Sequence, residues 1–473
     1  MNRPNVLLLM ADQFRGDCLG IEGHPDVKTS FLDTLAERGA RFTRAYSATP
    51  SCIPARAGLL TGMAPCHHGR IGYRDGVLWP YEHTLPASFT QAGYQTKCVG
   101  KMHVHPPRAR LGFEDVELHD GFLHYYRKPG TPACEAQLRA DDYFHDMQGQ
   151  GHRDVTDTGI DCNGSVARPW PYAEETHPTR WVGDRAVDFF RRRDRAHPFF
   201  LMVSFVRPHP PFDAPACFFD MYRGKELRRP VLGDWAEKTA SRSQGSPHGI
   251  ADPELLREAQ MGYYACITQL DHQIGRIMEA LALDGEMENT YILFLSDHGE
   301  LLGDHNLYRK SLPYEGSARV PFLISGPGIR PGSLCGQPVE LMDVMPTLLD
   351  ACSLPVPATV DGKSVLPLLR GKSEWREAVH GEHAYEGESV QYIVTDHDKY
   401  IWFSGSGREQ YFDLAQDPME ERDRIADPDC QTRIERLRSL LIQALAGRED
   451  GHSDGRRLIP GKPCKTTLSF LLE

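Results

Sequence analysis

Val6-Leu7-Leu8-Leu9-Met10 is a short apolar run that stops at Asp12-Gln13. An apolar stretch of this length without alternation reads as a strand buried on both faces, the pattern of a parallel sheet covered by helices. Residues 199–206, 291–295 and 320–324 read the same way, and residues 96–99 form a weaker example. Between them lie helical patterns. One covers residues 29–38, with Ser30 a candidate N-cap. Another covers residues 253–282, with Ile267, Leu270, Ile274 and Ile277 at helical spacing. Strands alternating with helices imply an α/β fold around a doubly wound, mostly parallel sheet.

The 473 residues are 40% hydrophobic and 25% charged, which suits a large soluble protein with an extensive core. A net charge of −12 argues against general nucleic-acid binding. The 12 cysteines are scattered, with no C-x-x-C, as expected for free thiols in a reducing compartment. No apolar run approaches a membrane span, and the first one is too short for a secretory signal. Cytoplasmic residence is therefore expected.

Residues 121–180 are rich in Gly, Asp, Tyr and Pro and lack periodicity, so they read as a substrate-facing insertion. Residues 241–249 read as a second loop. After residue 370 the character changes. Residues 391–395 and 399–403 read as antiparallel strands, 411–414 as a third, and 432–445 as a helix packed on them. This divides the chain into a catalytic domain, 1–370, and a smaller C-terminal α+β subdomain with its tail, 371–473. The end of the tail is apolar enough to dock on its own core or on a neighbouring subunit.

In open α/β sheets, ligands bind beyond the carboxyl ends of the strands. Here those ends read Asp12-Gln13, Gly100-Lys101-Met102-His103, Arg207-Pro208-His209-Pro210 and Ser296-Asp297-His298-Gly299. Carboxylates, imidazoles and a lysine thus converge on one rim. Taken alone, an Asp after a strand is more often a helix cap, and a lone His more often sits on the surface or in a satisfied core. Ser51-Cys52-Ile53-Pro54-Ala55-Arg56 adds a cysteine ahead of a predicted helix. A buried free cysteine is the bland reading of that segment.

Together these motifs resemble the type I sulfatases of the alkaline phosphatase-like superfamily. Matching pieces recur in family order: residues 5–13, Cys52-x-Pro54-x-Arg56 through Gly62, 100–103, 208–212, 296–300, Tyr308-Arg309-Lys310 and 411–421. The resemblance covers most of the chain. It implies an alkaline phosphatase-like fold, with a central mixed, mostly parallel sheet flanked by helices and a C-terminal antiparallel sheet. It also implies a sulfuric ester hydrolase whose nucleophile is hydrated formylglycine, made from Cys52 by a maturation enzyme.

By the same resemblance, Asp12, Asp297, His298 and modified Cys52 would hold one divalent metal. Gln13 would either join them or lie behind them. Oxygen donors suit calcium or magnesium, while the imidazole favours manganese, so Ca2+ or Mn2+ is expected. The commonest sulfatase pattern has Asp and Asn where this chain has Gln13 and His298. Both departures resemble the phosphonate monoester hydrolase and choline sulfatase branches. Arg56 would brace the nucleophile, His103 would contact its hydroxyl, Lys101 and Lys310 would clamp sulfate oxygens, and His209 would protonate the leaving oxygen. The rival activity is phosphonate monoester or phosphodiester hydrolysis at the same site. The rival without catalysis is an anion-binding protein with unmodified Cys52. The substrate is expected to be an aryl or carbohydrate sulfate ester, and a homo-oligomer is compatible with the sequence. Tyr125, Tyr126, Arg127, Lys128, Trp170 and Arg180 would line a sugar or aryl pocket, pack the insertion onto the core or form a subunit contact. His67 and His68 are expected on the surface. His105, His305, Tyr308 and Arg309 lie near the motifs without an assigned role.

Overall fold

The computed structural model describes residues 3–121, 140–152, 155, 160, 162–243, 246–372 and 374–472. Tyr125, Tyr126, Arg127 and Lys128 lie outside the described residues. Strand β1 (Asn5–Asp12) is buried throughout. Its two faces enter different cores. Leu7, Leu9 and Ala11 pack into one, Val6, Leu8 and Met10 into the other. That double burial is why the run shows no alternation.

The remaining strands of the main sheet are β2 (Ala40–Phe42), β4 (Gln95–Gly100), β5 (Asp115–Leu118), β6 (Phe199–Pro208), β7 (Thr290–Ser296), β8 (Phe322–Ser325) and β9 (Ser333–Cys335). Their order is β5-β4-β6-β1-β7-β8-β2-β9. Strands β4, β6, β1 and β7 are adjacent and parallel. Strand β8 runs antiparallel to β7 and β2, which makes the sheet mixed. It starts at Phe322, not at residue 320, because Pro321 has no N–H for a ladder. A separate parallel pair joins β3 (Ala45–Tyr46) to β10 (Val339–Glu340).

One core is filled by helices α1 (Ser30–Arg38), α3 (Pro178–Arg192) and α4 (Pro253–Leu283), the other by α2 (Cys52–Thr61) and residues 344–349. Ser30 is the first residue of α1 and not its cap; Thr29 holds that position and makes no side-chain capping bond. In the described part of the insertion, Trp170 is buried and donates from Nε1 to Thr176 Oγ1 at 3.1 Å. Arg180 lies on α3 and pairs with Asp184 at 3.1 Å. Trp170 packs the segment onto the core, whereas Arg180 is tied within its own helix. His67 is exposed and bonded to Asp361, but His68 is buried, contrary to the surface position expected for it. Its Nδ1 accepts from the Arg70 amide at 3.2 Å.

Strands β11 (Val379–Tyr385), β12 (Glu388–Val394), β13 (Asp398–Phe403) and β14 (Glu409–Asp413) form an antiparallel meander. Helix α5 (Gln431–Ala444) covers one face. The other face packs on Leu301, Leu312 and Tyr314 of the main body. Buried Lys399 fastens this contact, donating from Nζ to Pro313 O at 2.8 Å, Glu315 at 2.7 Å and Glu420 at 2.8 Å. The chain's end docks on its own fold, with Leu468 N donating to Gly69 O at 2.8 Å and Ile71 N to Thr466 O at 3.1 Å.

Candidate active site

The four adjacent parallel strands end on one rim, as the sequence implied. Strand β1 delivers Asp12 and Gln13, β4 Lys101 and His103, β6 His209, and β7 Asp297 and His298. All seven are buried. Gly100 lets β4 come this close to β6: at φ 96° it has no Cβ, and one placed there would lie 2.0 Å from Ser204 O. Gln13 and His103 adopt left-handed backbone, with φ of 71° and 57°. Such strain in residues other than glycine concentrates at functional sites.

Cys52 is the first residue of α2, a helix buried at every position. Its sulfur therefore sits at the helix's positive end, where an anion is favoured. Sγ lies 3.3 Å from His298 Nε2, 3.7 Å from Asp12 Oδ1 and 3.8 Å from Lys310 Nζ. Ligand atoms of Asp12, Cys52, Asp297 and His298 all fall within 4.8 Å of one another. His298 Nδ1 bonds to Gly299 O at 2.9 Å, which puts the proton on Nδ1 and leaves Nε2 as a donor atom for a metal. Two carboxylates, one imidazole nitrogen and the oxygen that would replace Sγ make a donor set that fits a divalent cation.

The cationic partners are equally specific. Arg56 is fully buried. Its Nε donates to Asp297 Oδ2 at 3.1 Å, and its Nη1 donates to Lys101 O at 2.8 Å and Ser204 Oγ at 3.0 Å. Lys101 Nζ donates to Asp12 Oδ2. Burial opposes ionisation of Asp12, yet Lys101, His209, His298 and Lys310 hold its carboxyl well below the usual range. Burial likewise works against Lys101, but Asp12 keeps it charged, raising its pKa.

Gln13 is held from both ends. Its Oε1 accepts from Lys310 Nζ at 2.7 Å, and its Nε2 donates to Glu300 Oε2. Lys can only donate and a carboxylate only accept, so the amide's orientation is fixed. Burial drives the His209 pKa well down, and Lys310 adds to the effect. His209 Nδ1 bonds to Pro210 O at 2.8 Å. His103 differs: burial works against its charge, but Asp75 outweighs this, and its pKa is raised. Asp75 Oδ1 lies 3.4 Å from His103 Nε2, and Asp120 Oδ1 accepts from the His103 amide at 2.9 Å.

Sequence reasoning assigned no role to Glu300, Asp75, Asp120, Ser204 or His383. Glu300 lay within a matching motif; the others carried no local signal. His383 comes from β11, where burial depresses its pKa to about 4 and the charges of His298 and Lys310 act in the same sense. His305 packs against Trp235 and Tyr314, with ring centroids 4.5 and 5.8 Å away, and Tyr308 carries the Arg242 guanidinium 3.9 Å above its ring.

Comparison with known proteins agrees with this geometry. The sulfatase family model matches residues 4–354, and the model for the C-terminal part of N-sulphoglucosamine sulphohydrolase matches residues 303–446. An arylsulfatase of Clostridium perfringens is 47% identical, the match covering 98% of this chain and 99% of that one. A choline-sulfatase of Rhizobium meliloti is 32% identical over 88% of this chain and 81% of its own. The crystal structure of a phosphonate monoester hydrolase of Agrobacterium radiobacter superposes with a TM-score of 0.74 at 27% identity, covering 94% of this chain and 97% of that one. With its rim of Asp12, Cys52, Asp297 and His298 on a mixed, mostly parallel sheet, the chain belongs to the sulfatase family of hydrolases.

Proposed function

We propose that the protein hydrolyses aryl or carbohydrate sulfate monoesters to alcohol and inorganic sulfate, with residue 52 as nucleophile after oxidation to formylglycine. The observation that carries this reading is the placement of Cys52, at the N-terminus of a buried helix and against the Asp12, Asp297 and His298 donors. Those three residues and residue 52 would hold one Ca2+ or Mn2+. The metal would supply Lewis-acid charge neutralisation and lower the pKa of the attacking hydroxyl. Arg56 anchors the nucleophile's turn by bridging Asp297 and the Lys101 carbonyl. Lys101 and Lys310 would meet non-bridging sulfate oxygens.

His209 acts as general acid. Its resting state is neutral, with the proton on Nδ1, so the anionic ester must favour the imidazolium on arrival. Charge fits the reaction. Asp12, Asp297 and Glu300 balance Arg56, Lys101 and Lys310, leaving the two charges of a cation to be offset by a monoanionic ester and an ionised nucleophile. Phosphodiesters and phosphonate monoesters are also monoanions, so the preference for sulfate rests on its three non-bridging oxygens against their two. Cytoplasmic residence accords with the 11 described cysteines, all of which are free.

Mass spectrometry of the peptide carrying residue 52, from cells with a formylglycine-generating enzyme, is expected to show conversion. Cys52→Ala is expected to abolish turnover with the fold intact. Second-order rate constants for matched aryl sulfate, aryl phosphonate and bis-aryl phosphate then test the reaction class, and a higher value for either phosphorus ester overturns it.

A further inference from the structure

A cleft of about 370 Å³ adjoins the centre, lined by His103 and by Ile53, the residue after the nucleophile. A larger cavity of about 740 Å³ beside Arg242 shares no residue with the centre. The smaller cleft is at the low end of ligand-site volumes, about 300–1,000 Å³, and so suits a single ring. Its walls divide by chemistry. Ile53, Val77, Val104 and Trp79 are apolar and buried. The charged groups are chiefly Arg70 and Arg74, with Asp75 the one acid.

These charges are not equivalent. Arg70 is buried and already engaged. It donates to Tyr81 Oη at 2.9 Å and to the carbonyls of Val77 and Leu78 at 3.2 and 2.6 Å, and its guanidinium lies 4.6 Å over the Trp79 ring. It therefore builds the wall. Asp75 is also committed, accepting from Tyr73 Oη at 2.8 Å and facing His103. Arg74 is exposed at the cleft and makes no ion pair or hydrogen bond among the described residues.

We infer that this cleft receives the organic part of the sulfate ester, a single ring bearing an anionic substituent that Arg74 recognises. The inference rests on the sulfatase reading above. An ester whose sulfate sits at residue 52 has its next atoms within reach of Ile53 and His103. The apolar walls take the ring's body. Its carboxylate or second sulfate then meets the exposed Arg74 guanidinium, a fork that matches either oxyanion.

The test compares carboxyphenyl sulfates with their neutral carboxamide counterparts on the converted enzyme and on Arg74→Gln. Comparing the within-enzyme ratio of kcat/KM values between wild type and variant cancels differences in leaving-group reactivity. Arg74→Gln is expected to lower the carboxylate-to-carboxamide ratio by about tenfold. Arg74→Glu is expected to lower it further and to raise relative turnover of an aminomethylphenyl sulfate. A ratio within about twofold of the wild-type value in both variants overturns the assignment, provided wild-type enzyme hydrolyses 4-nitrophenyl sulfate. Failure of the converted enzyme on every sulfate ester, 4-nitrophenyl sulfate included, instead overturns the activity itself and the cleft's role with it.

Discussion

Glu300→Gln is nearly isosteric, yet it is expected to disable the centre through Gln13. Glu300 is buried. Its Oε1 accepts from the Leu302 amide at 2.9 Å and from the Arg309 amide, while Oε2 accepts from Gln13 Nε2. In the variant, the amide oxygen must serve the two backbone donors. The new NH2 then confronts the NH2 of Gln13. Gln13 relieves the clash by turning its amide over, which aims its NH2 at Lys310 and removes the acceptor of a 2.7 Å bond. A hydrogen bond to a charged group is worth about 1.5–3 kcal/mol, so kcat/KM should fall roughly 10- to 100-fold.

The control exchanges the chemistry across the pair. Gln13→Glu combined with Glu300→Gln again sets an acceptor against the NH2 and an acceptor against Lys310, so it should recover most of the loss. The assay is kcat/KM for an aryl sulfate together with metal affinity by titration. Metal affinity that falls in Glu300→Gln and returns in the double variant makes the Gln13 carbonyl a ligand. A change in kcat/KM alone makes Gln13 the residue that aims Lys310. Wild-type activity in Glu300→Gln, or no recovery in the double variant, refutes the reasoning.

Other expectations follow from the same geometry. Asp297→Ala removes an anionic donor and the partner of Arg56 Nε, so bound metal and activity should be lost together, as elemental analysis and turnover will show. His209→Ala should slow alkyl or sugar sulfates far more than activated aryl sulfates, because a general acid matters most for a basic leaving group; equal losses would assign His209 to sulfate binding. Lys399→Met leaves Glu315 and Glu420 buried without their shared cation. It should cost about 3–5 kcal/mol of stability, read as a lowered denaturation midpoint.

Much of the candidate site was legible because its residues follow strands. The burial that makes β1 continuously apolar also places Asp12 at the carboxyl end of a central strand, and the same holds for His209 after β6 and Asp297 after β7; Lys101 follows the less regular β4. A short motif sufficed for Cys52 because α2 starts at that residue. Residues that act through the tertiary fold left no comparable trace. Strand β11 reads Val-His-Gly-Glu-His-Ala-Tyr, with neither an apolar run nor alternation, because polar side chains fill buried positions; Glu382 is held there by Arg448 at 2.8 and 2.7 Å. The strand was therefore missed, and His383 with it. Asp75 reaches His103 from a loop anchored at its start, where Ile71 is bonded on both sides. Ala384 N donates to Ile71 O at 3.1 Å, and Ile71 N donates to Thr466 O at 3.1 Å. The C-terminal sheet and tail thus hold the loop that carries Tyr73, Arg74 and Asp75. The part of the chain least like a catalytic domain in sequence fixes one wall of the centre, which spacing between motifs could not convey.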